Sequence, residues 1–130
     1  NDGAIYLRKS NDMKNWGASK IVSHGGSPGT GQLWMAECPQ VIPYEGKYYL
    51  FRTYSYGKYE NGIQTEEPKT NVYCSVDPEN FGINTDSFLV TRLAVAAPEI
   101  VYYNGEWYIA ALMPDLQGIR ISKMEWVAEE

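Results

Sequence analysis

The sequence predicts an all-β fold of repeated antiparallel sheets, and three observations carry that expectation. Apolar and aromatic residues form two runs of strand length on either side of Glu45-Gly46, a turn pair whose glycine supplies the positive φ of a tight hairpin. The same pattern returns as Ala97-Pro98-Glu99-Ile100 with Trp107-Tyr108-Ile109, so that Pro39 matches Pro98 and Gly46 matches Gly105 at one offset of 59 residues. No stretch carries the periodicity of a long amphipathic helix.

Taken in order, residues 4–8 read as a strand and Ser10 to Gly17 as the turn after it, with Ser, Asn and Asp side chains folding back onto backbone N–H groups. Trp16 is placed to plug the edge of a sheet. Asn71 to Gly82 repeats the unit, Asp12 matching Asp77 and Trp16 matching Phe81 at an offset of 65 residues, and Gly118 to Trp126 is a weaker third copy. Asp12 and Asp77 therefore read as turn formers. Hairpins and strand-turn-aromatic units alternate, which is the order expected of four-stranded blades set around an axis. The expectation is a β-propeller-like chain of about two and a half four-stranded antiparallel blades. Residues 1–33 are the end of one blade and a loop, 34–94 a complete blade reaching about Leu93, and 95–130 a further blade without a clear fourth strand. His24 to Gln32 and Gly57 to Thr70 are too rich in Gly, Pro and polar residues for strands, and read as loops on the face where repeat folds gather binding segments.

With 130 residues the chain is about one domain long, and 44 % hydrophobic residues suffice for a core. Eleven Lys and Arg against sixteen Asp and Glu give a net charge of −5, which repels phosphate backbones; nucleic acid is not an expected partner. No apolar run approaches the roughly 20 residues of a membrane span, so no membrane partner is expected either. The chain opens at Asn1 with neither a methionine nor a signal-peptide pattern, as a mature, excised or truncated product would, and its localisation stays open. Cys38 and Cys74 fall on predicted strands with another between them, a separation of ~9–10 Å that exceeds disulfide reach. Both are expected to be free and largely buried.

Glu37 precedes Cys-Pro at the axis end of a predicted first strand, where a carboxyl on a rigid element suits a general acid. It would equally suit a strand start whose amides need an acceptor, and both readings stay open. Centring the hairpin on Glu45-Gly46 pairs Glu37 with Tyr54 and Pro39 with Arg52 on one face, so Arg52 is expected either to orient or ion-pair Glu37 or to brace the blade. Trp34, Tyr54 and Tyr56 sit near the same end and could stack on sugar rings, although such residues also fill strands for packing reasons. Glu99 has Gln40 as its repeat equivalent and reads as structural. His24 reads as a solvated loop residue. One His and two separated Cys make no zinc pattern, and the glycine loop lacks the Lys-Ser/Thr and helix of a phosphate loop.

Ala36-Glu37-Cys38-Pro39, Gly46-Lys47-Tyr48-Tyr49-Leu50-Phe51-Arg52-Thr53, Val72-Tyr73 through Phe81-Gly82-Ile83, and Ala97-Pro98-Glu99-Ile100 with Trp107-Tyr108-Ile109 together resemble the five-bladed propeller glycoside hydrolases. Within that clan they are similar to the invertase and levanase group (family 32) and the arabinanase and xylosidase group (family 43). The likeness covers nearly the whole chain. It implies a five-bladed propeller with a saccharide site at its axis, often in secreted or periplasmic proteins, and gives Glu37 the role of the general acid in a Glu-Cys-Pro motif.

The departures from that pattern bear on activity. Such enzymes need two carboxylates around the scissile bond, and the family's two catalytic Asp positions would lie upstream of Asn1. Where relatives carry a His at the axis before Ala-Pro-Glu, this chain has Ala96, so no metal or other cofactor is implied. The expected function is accordingly glycoside hydrolase-like, acting on or binding poly- or oligosaccharide with Glu37 as general acid, and incomplete for catalysis in this chain. The alternative is a non-catalytic half-propeller, a carbohydrate-binding or assembly module that closes as a homodimer, since two copies of about two and a half blades make about five.

Overall fold

The computed structural model describes residues 3–128, and the strands among them form four antiparallel sheets. β1 (Ala4–Leu7) pairs with β2 (Lys20–His24). A four-stranded sheet follows in the order β3-β4-β7-β8, from β3 (Glu37–Tyr44), β4 (Lys47–Ser55), β7 (Lys69–Ser75) and β8 (Leu89–Leu93). β9 (Glu99–Tyr103), β10 (Glu106–Leu112) and β11 (Ile119–Met124) form a third sheet, and β5 (Lys58–Glu60) with β6 (Ile63–Glu66) a small hairpin. The one helical element among the described residues is a 3₁₀ turn, Leu33–Met35. The fold is all-β, and none of the sheets closes on itself.

β4 is the centre of the molecule because its two faces are buried against different sheets. Leu50, with Tyr73 beside it on β7, packs against Ile5 and Val22 of the first sheet and encloses Phe81. Phe51, with Val72 beside it, packs against Ile100, Trp107 and Ile109 of the third sheet. Strand side chains alternate between faces, so two adjacent apolar residues serve two interfaces, each full burial contributing about 1.5–3 kcal/mol. The run Tyr48 to Phe51 is continuously apolar for that reason.

Polar side chains on the same strands continue the alternation. Thr70 Oγ1 donates to Val95 O at 2.7 Å, so its partner Thr53 Oγ1, 2.8 Å away, donates to it and accepts the Ala97 N–H at 3.0 Å. This relay ties the central sheet to the segment entering β9. There Ala97 has φ +48°, as does Cys38 at the start of β3, and Asn104 (+51°) matches Glu45 (+47°) in the hairpin turns. The 59-residue repeat is thus present in the backbone and not only in residue types.

Several expectations change. Gly57 to Thr70 is not simply a loop: it contains the β5–β6 hairpin, turned at Asn61-Gly62 with both residues at positive φ (+53° and +79°), and β7 already begins at Lys69. Asn-Gly is a strong hairpin signal that the overall polarity of the segment obscured. Glu37 pairs with Thr53, not Tyr54, because a bulge between Glu37 and Gln40 shifts the register. His24 ends β2, half buried, and its backbone bonds to Gly82 O and to the Asn84 N–H, so it is not a solvated loop residue. Trp16 does not plug a sheet edge and is 49 % exposed. The Asp12 turn forms as expected, its carboxylate accepting from the Lys14 and Asn15 N–H groups at 2.9 and 2.8 Å.

Candidate functional site

The bulge at Cys38 sets the geometry of the site. By taking a left-handed conformation ahead of Pro39, Cys38 turns the start of β3 toward β1, leaving an open cleft of about 480 Å³. Its walls are Ala4, Ile5 and Tyr6 on one side and Ala36 to Pro39 on the other, with Tyr56 completing it. Glu37 is the one carboxylate in this lining. The lining combines apolar groups with three polar side chains, Glu37, Cys38 and Tyr56.

Tyr56 sits at the end of the hairpin, just past β4, and its hydroxyl lies 3.4 Å from Cys38 Sγ. Partial burial, the hydrogen bonds to Cys38 and Glu37, and the charge beside it all push the phenol far above the ordinary tyrosine range. The hydroxyl therefore keeps its proton at any physiological pH, and can donate to the Glu37 carboxylate or to an oxygen bound in the cleft. Cys38 is exposed, which overturns the expectation of a buried thiol; Cys74 on β7 is half buried, and both are free. The left-handed turn explains the difference, because it carries the Cys38 side chain out of the sheet.

Arg52 takes the bracing role and is not an ion-pair partner of Glu37. It is 1 % exposed, and its guanidinium donates to Met35 O (3.0 Å), Ser23 Oγ (3.2 Å), Gly25 O (3.1 Å) and Gly3 O (3.4 Å). Burial pulls its pKa below the ordinary guanidinium value, with Tyr73 and Asp86 opposing the shift. The bulge explains why it misses Glu37: Arg52 faces the first sheet, where main-chain carbonyls need a donor. In holding Met35 O it fixes the segment that delivers Glu37.

The other expected residues divide. Trp34 lies on the 3₁₀ turn just before Glu37 and is exposed, but it is not part of the cleft lining. Tyr54 is half buried and carries the Arg92 guanidinium over its ring at 5.5 Å, while Arg92 also donates to Asn71 Oδ1 at 3.0 Å. Tyr54 is therefore committed to the β7–β8 side. Sequence reasoning missed Tyr6, whose exposed ring lines the wall opposite Glu37; its place on a short first strand gave no sign of which face it would take. Among the described residues, no three His, Cys, Asp or Glu side chains converge as a metal site, and no helix is long and apolar enough to cross a membrane.

In comparisons with protein-family models, curated proteins and solved structures, nothing matches this chain.

Proposed function

We propose that the chain is a glycoside hydrolase-like, propeller-type protein that takes an oligosaccharide in the Glu37 cleft, with Glu37 as the proton donor. The observation that carries this reading is the placing of one carboxyl group and one phenol hydroxyl, Glu37 and Tyr56, together in the lining of an open cleft. A saccharide offers hydroxyls to both and a ring face to Tyr6, the combination of polar edges and apolar faces that aromatic side chains suit. The matching left-handed residues Cys38 and Ala97 support blades of one kind, and the sequence resemblance supports the assignment of the acid.

Hydrolysis asks for a second carboxylate some 5–10 Å from the first, on the other side of the glycosidic bond. Glu37 is alone in the lining, so turnover requires a carboxylate from outside this cleft, whereas binding does not. The test is titration of the isotopically labelled chain with fructo-, arabino- and xylo-oligosaccharides, followed through backbone amides, alongside a screen of aryl glycosides. Binding should shift the amides of Glu37, Cys38 and Tyr56, and Glu37→Gln should remove any turnover while leaving the spectrum folded. Shifts that avoid this cleft, or turnover untouched by Glu37→Gln, would overturn the assignment.

A further inference from the structure

The chain contains two Asn-Gly pairs, Asn61-Gly62 and Asn104-Gly105, and the fold gives both the same local geometry. Each is the two-residue turn of a hairpin, closed by Glu60 against Ile63 in one and by Tyr103 against Glu106 in the other. The φ angles are +53° and +79° in the first turn and +51° and +80° in the second. Neither glycine has a neighbouring atom near the place a Cβ would take, so both turns stand open to water.

What lies behind the turns differs. Among the described residues β5 and β6 pair only with each other, every residue of both strands is exposed, and a register shift between Lys58 and Tyr59 interrupts their short ladder. Their cross-strand ion pair, Lys58 Nζ to Glu66 Oε1 at 2.8 Å, is exposed on both sides and adds little. A two-stranded ribbon of that kind is marginal on its own and opens at small cost. β9 and β10 instead pair without a register shift, β11 completes their sheet, Ile100 is buried, and Trp107 and Ile109 pack against the central sheet. Asn104 is released only when that packed sheet opens.

We propose that Asn61 is a site of spontaneous deamidation, confined to the β5–β6 ribbon, and that Asn104 is spared by its sheet. The Gly62 backbone nitrogen, unhindered because glycine has no Cβ, loses its proton and attacks Asn61 Cγ. The new C–N bond closes a five-membered imide and ammonia leaves. Water then opens the ring at either carbonyl to give aspartate or isoaspartate, so one water is consumed, one ammonia is released, and nothing is oxidised or reduced. Ring closure needs rotation about the Asn61 Cα–C bond, which the paired turn blocks, so the rate follows the opening of the ribbon. The product carries a new negative charge, and isoaspartate adds a methylene to the main chain inside a two-residue turn, which takes the strands out of register. The inference rests on sheet topology and stands apart from the saccharide reading.

Ageing the 130-residue chain in mildly alkaline buffer and in urea, with peptide mapping by mass spectrometry at intervals, tests it. In urea, where neither turn exists, the two sites should convert at comparable rates. In buffer, Asn61 should convert faster than Asn104 by about tenfold or more. Hydrogen exchange on the fresh chain reads the cause, since the Ile63 amide should exchange faster than the equivalent Glu106 amide. In the aged chain the amide resonances of β5 and β6 should move while those of β10 stay in place. Equal rates in buffer, faster conversion at Asn104, or no conversion at Asn61 in buffer when urea permits it would each overturn the proposal. So would an Ile63 amide as well protected as that of Glu106.

Discussion

The Gln40 side chain holds the backbone of Ile100 from both sides, its Oε1 accepting the Ile100 N–H at 2.6 Å and its Nε2 donating to Ile100 O at 3.1 Å. A single amide thereby completes the pairing of β9 at the edge facing β3. Only an amide has a donor and an acceptor in that spacing. Gln40→Glu keeps the size but cannot donate while ionised, leaving the Ile100 carbonyl facing a carboxylate. We expect Gln40→Glu and Gln40→Ala each to cost about 1–3 kcal/mol of stability, with Glu the worse at neutral pH. Urea unfolding monitored by circular dichroism reads the difference, and equal midpoints for parent and Gln40→Glu would contradict it.

Arg52 should be the most sensitive single position outside the apolar core. Three main-chain carbonyls and the Ser23 hydroxyl lose their donor if it is removed, and all lie at the junction of the first and central sheets. Lysine keeps the charge but cannot present donors in three directions from a planar fork. Arg52→Lys is expected to cost about 2–4 kcal/mol, and Arg52→Met at least as much despite its good volume match. Because Met35 O is one of the acceptors, the amides of Met35 to Cys38 should exchange faster in Arg52→Lys, while those of β10 stay protected. Uniform loss of protection would instead indicate a global effect.

The turn at Asp12 gives a signed pH dependence. Backbone hydrogen bonds from Asn15 and Lys14, then the Asn15 and Ser10 side chains, hold the carboxyl well below its ordinary range. A folded-state pKa below the unfolded one means the native turn binds fewer protons. Its contribution is therefore complete above the ordinary aspartate value of about 3.9 and is lost as pH falls toward the depressed value. The Lys14 and Asn15 amide resonances should stay constant from pH 7 to about 4 and move only in stronger acid. Asp12→Ala should remove that titration and leave the core resonances unchanged. A midpoint for these amides near 4 would contradict the depressed value.

What was legible in the sequence follows from what each position demands locally. Hairpin turns need positive φ, so Glu45-Gly46 and Asn104-Gly105 announce themselves, and their equal spacing from Pro39 and Pro98 exposes the repeat. Asn61-Gly62 carried the same signal inside a segment judged by its composition, and the hairpin was overlooked. Glu37 was legible as a residue at a strand start, but its partners were not. A left-handed Cys38 has no local signature, since neither Cys nor Pro requires it, and one bulge was enough to pair Glu37 with Thr53 and commit Arg52 to the first sheet. Trp16 was matched to Phe81 by pattern, yet Phe81 is fully buried and Trp16 is 49 % exposed, because burial is set by tertiary packing that no local pattern encodes.

The pair formed by Tyr56 and Cys38 makes the cleft testable without a ligand. Tyr56 is held neutral first by burial, then by its contacts with Cys38 and Glu37. Its folded-state pKa lies above the unfolded one, so the native state retains a proton that the unfolded chain has lost above pH ~10. Stability should accordingly be flat below that pH and fall as it rises further, and Tyr56→Phe, which has no proton to retain, should remove part of the fall. The tyrosine Cζ resonances separate this residue from the other ten among the eleven in the chain, and Tyr56 should be among the last to ionise. The same contact shields one side of the exposed Cys38 thiol, so a maleimide should label Cys38 before the half-buried Cys74, and faster in Tyr56→Phe than in the parent. If Tyr56 ionises with the exposed tyrosines and its substitution leaves the Cys38 rate unchanged, the hydroxyl is not seated between Cys38 and Glu37, and the polar lining of the cleft has to be redrawn.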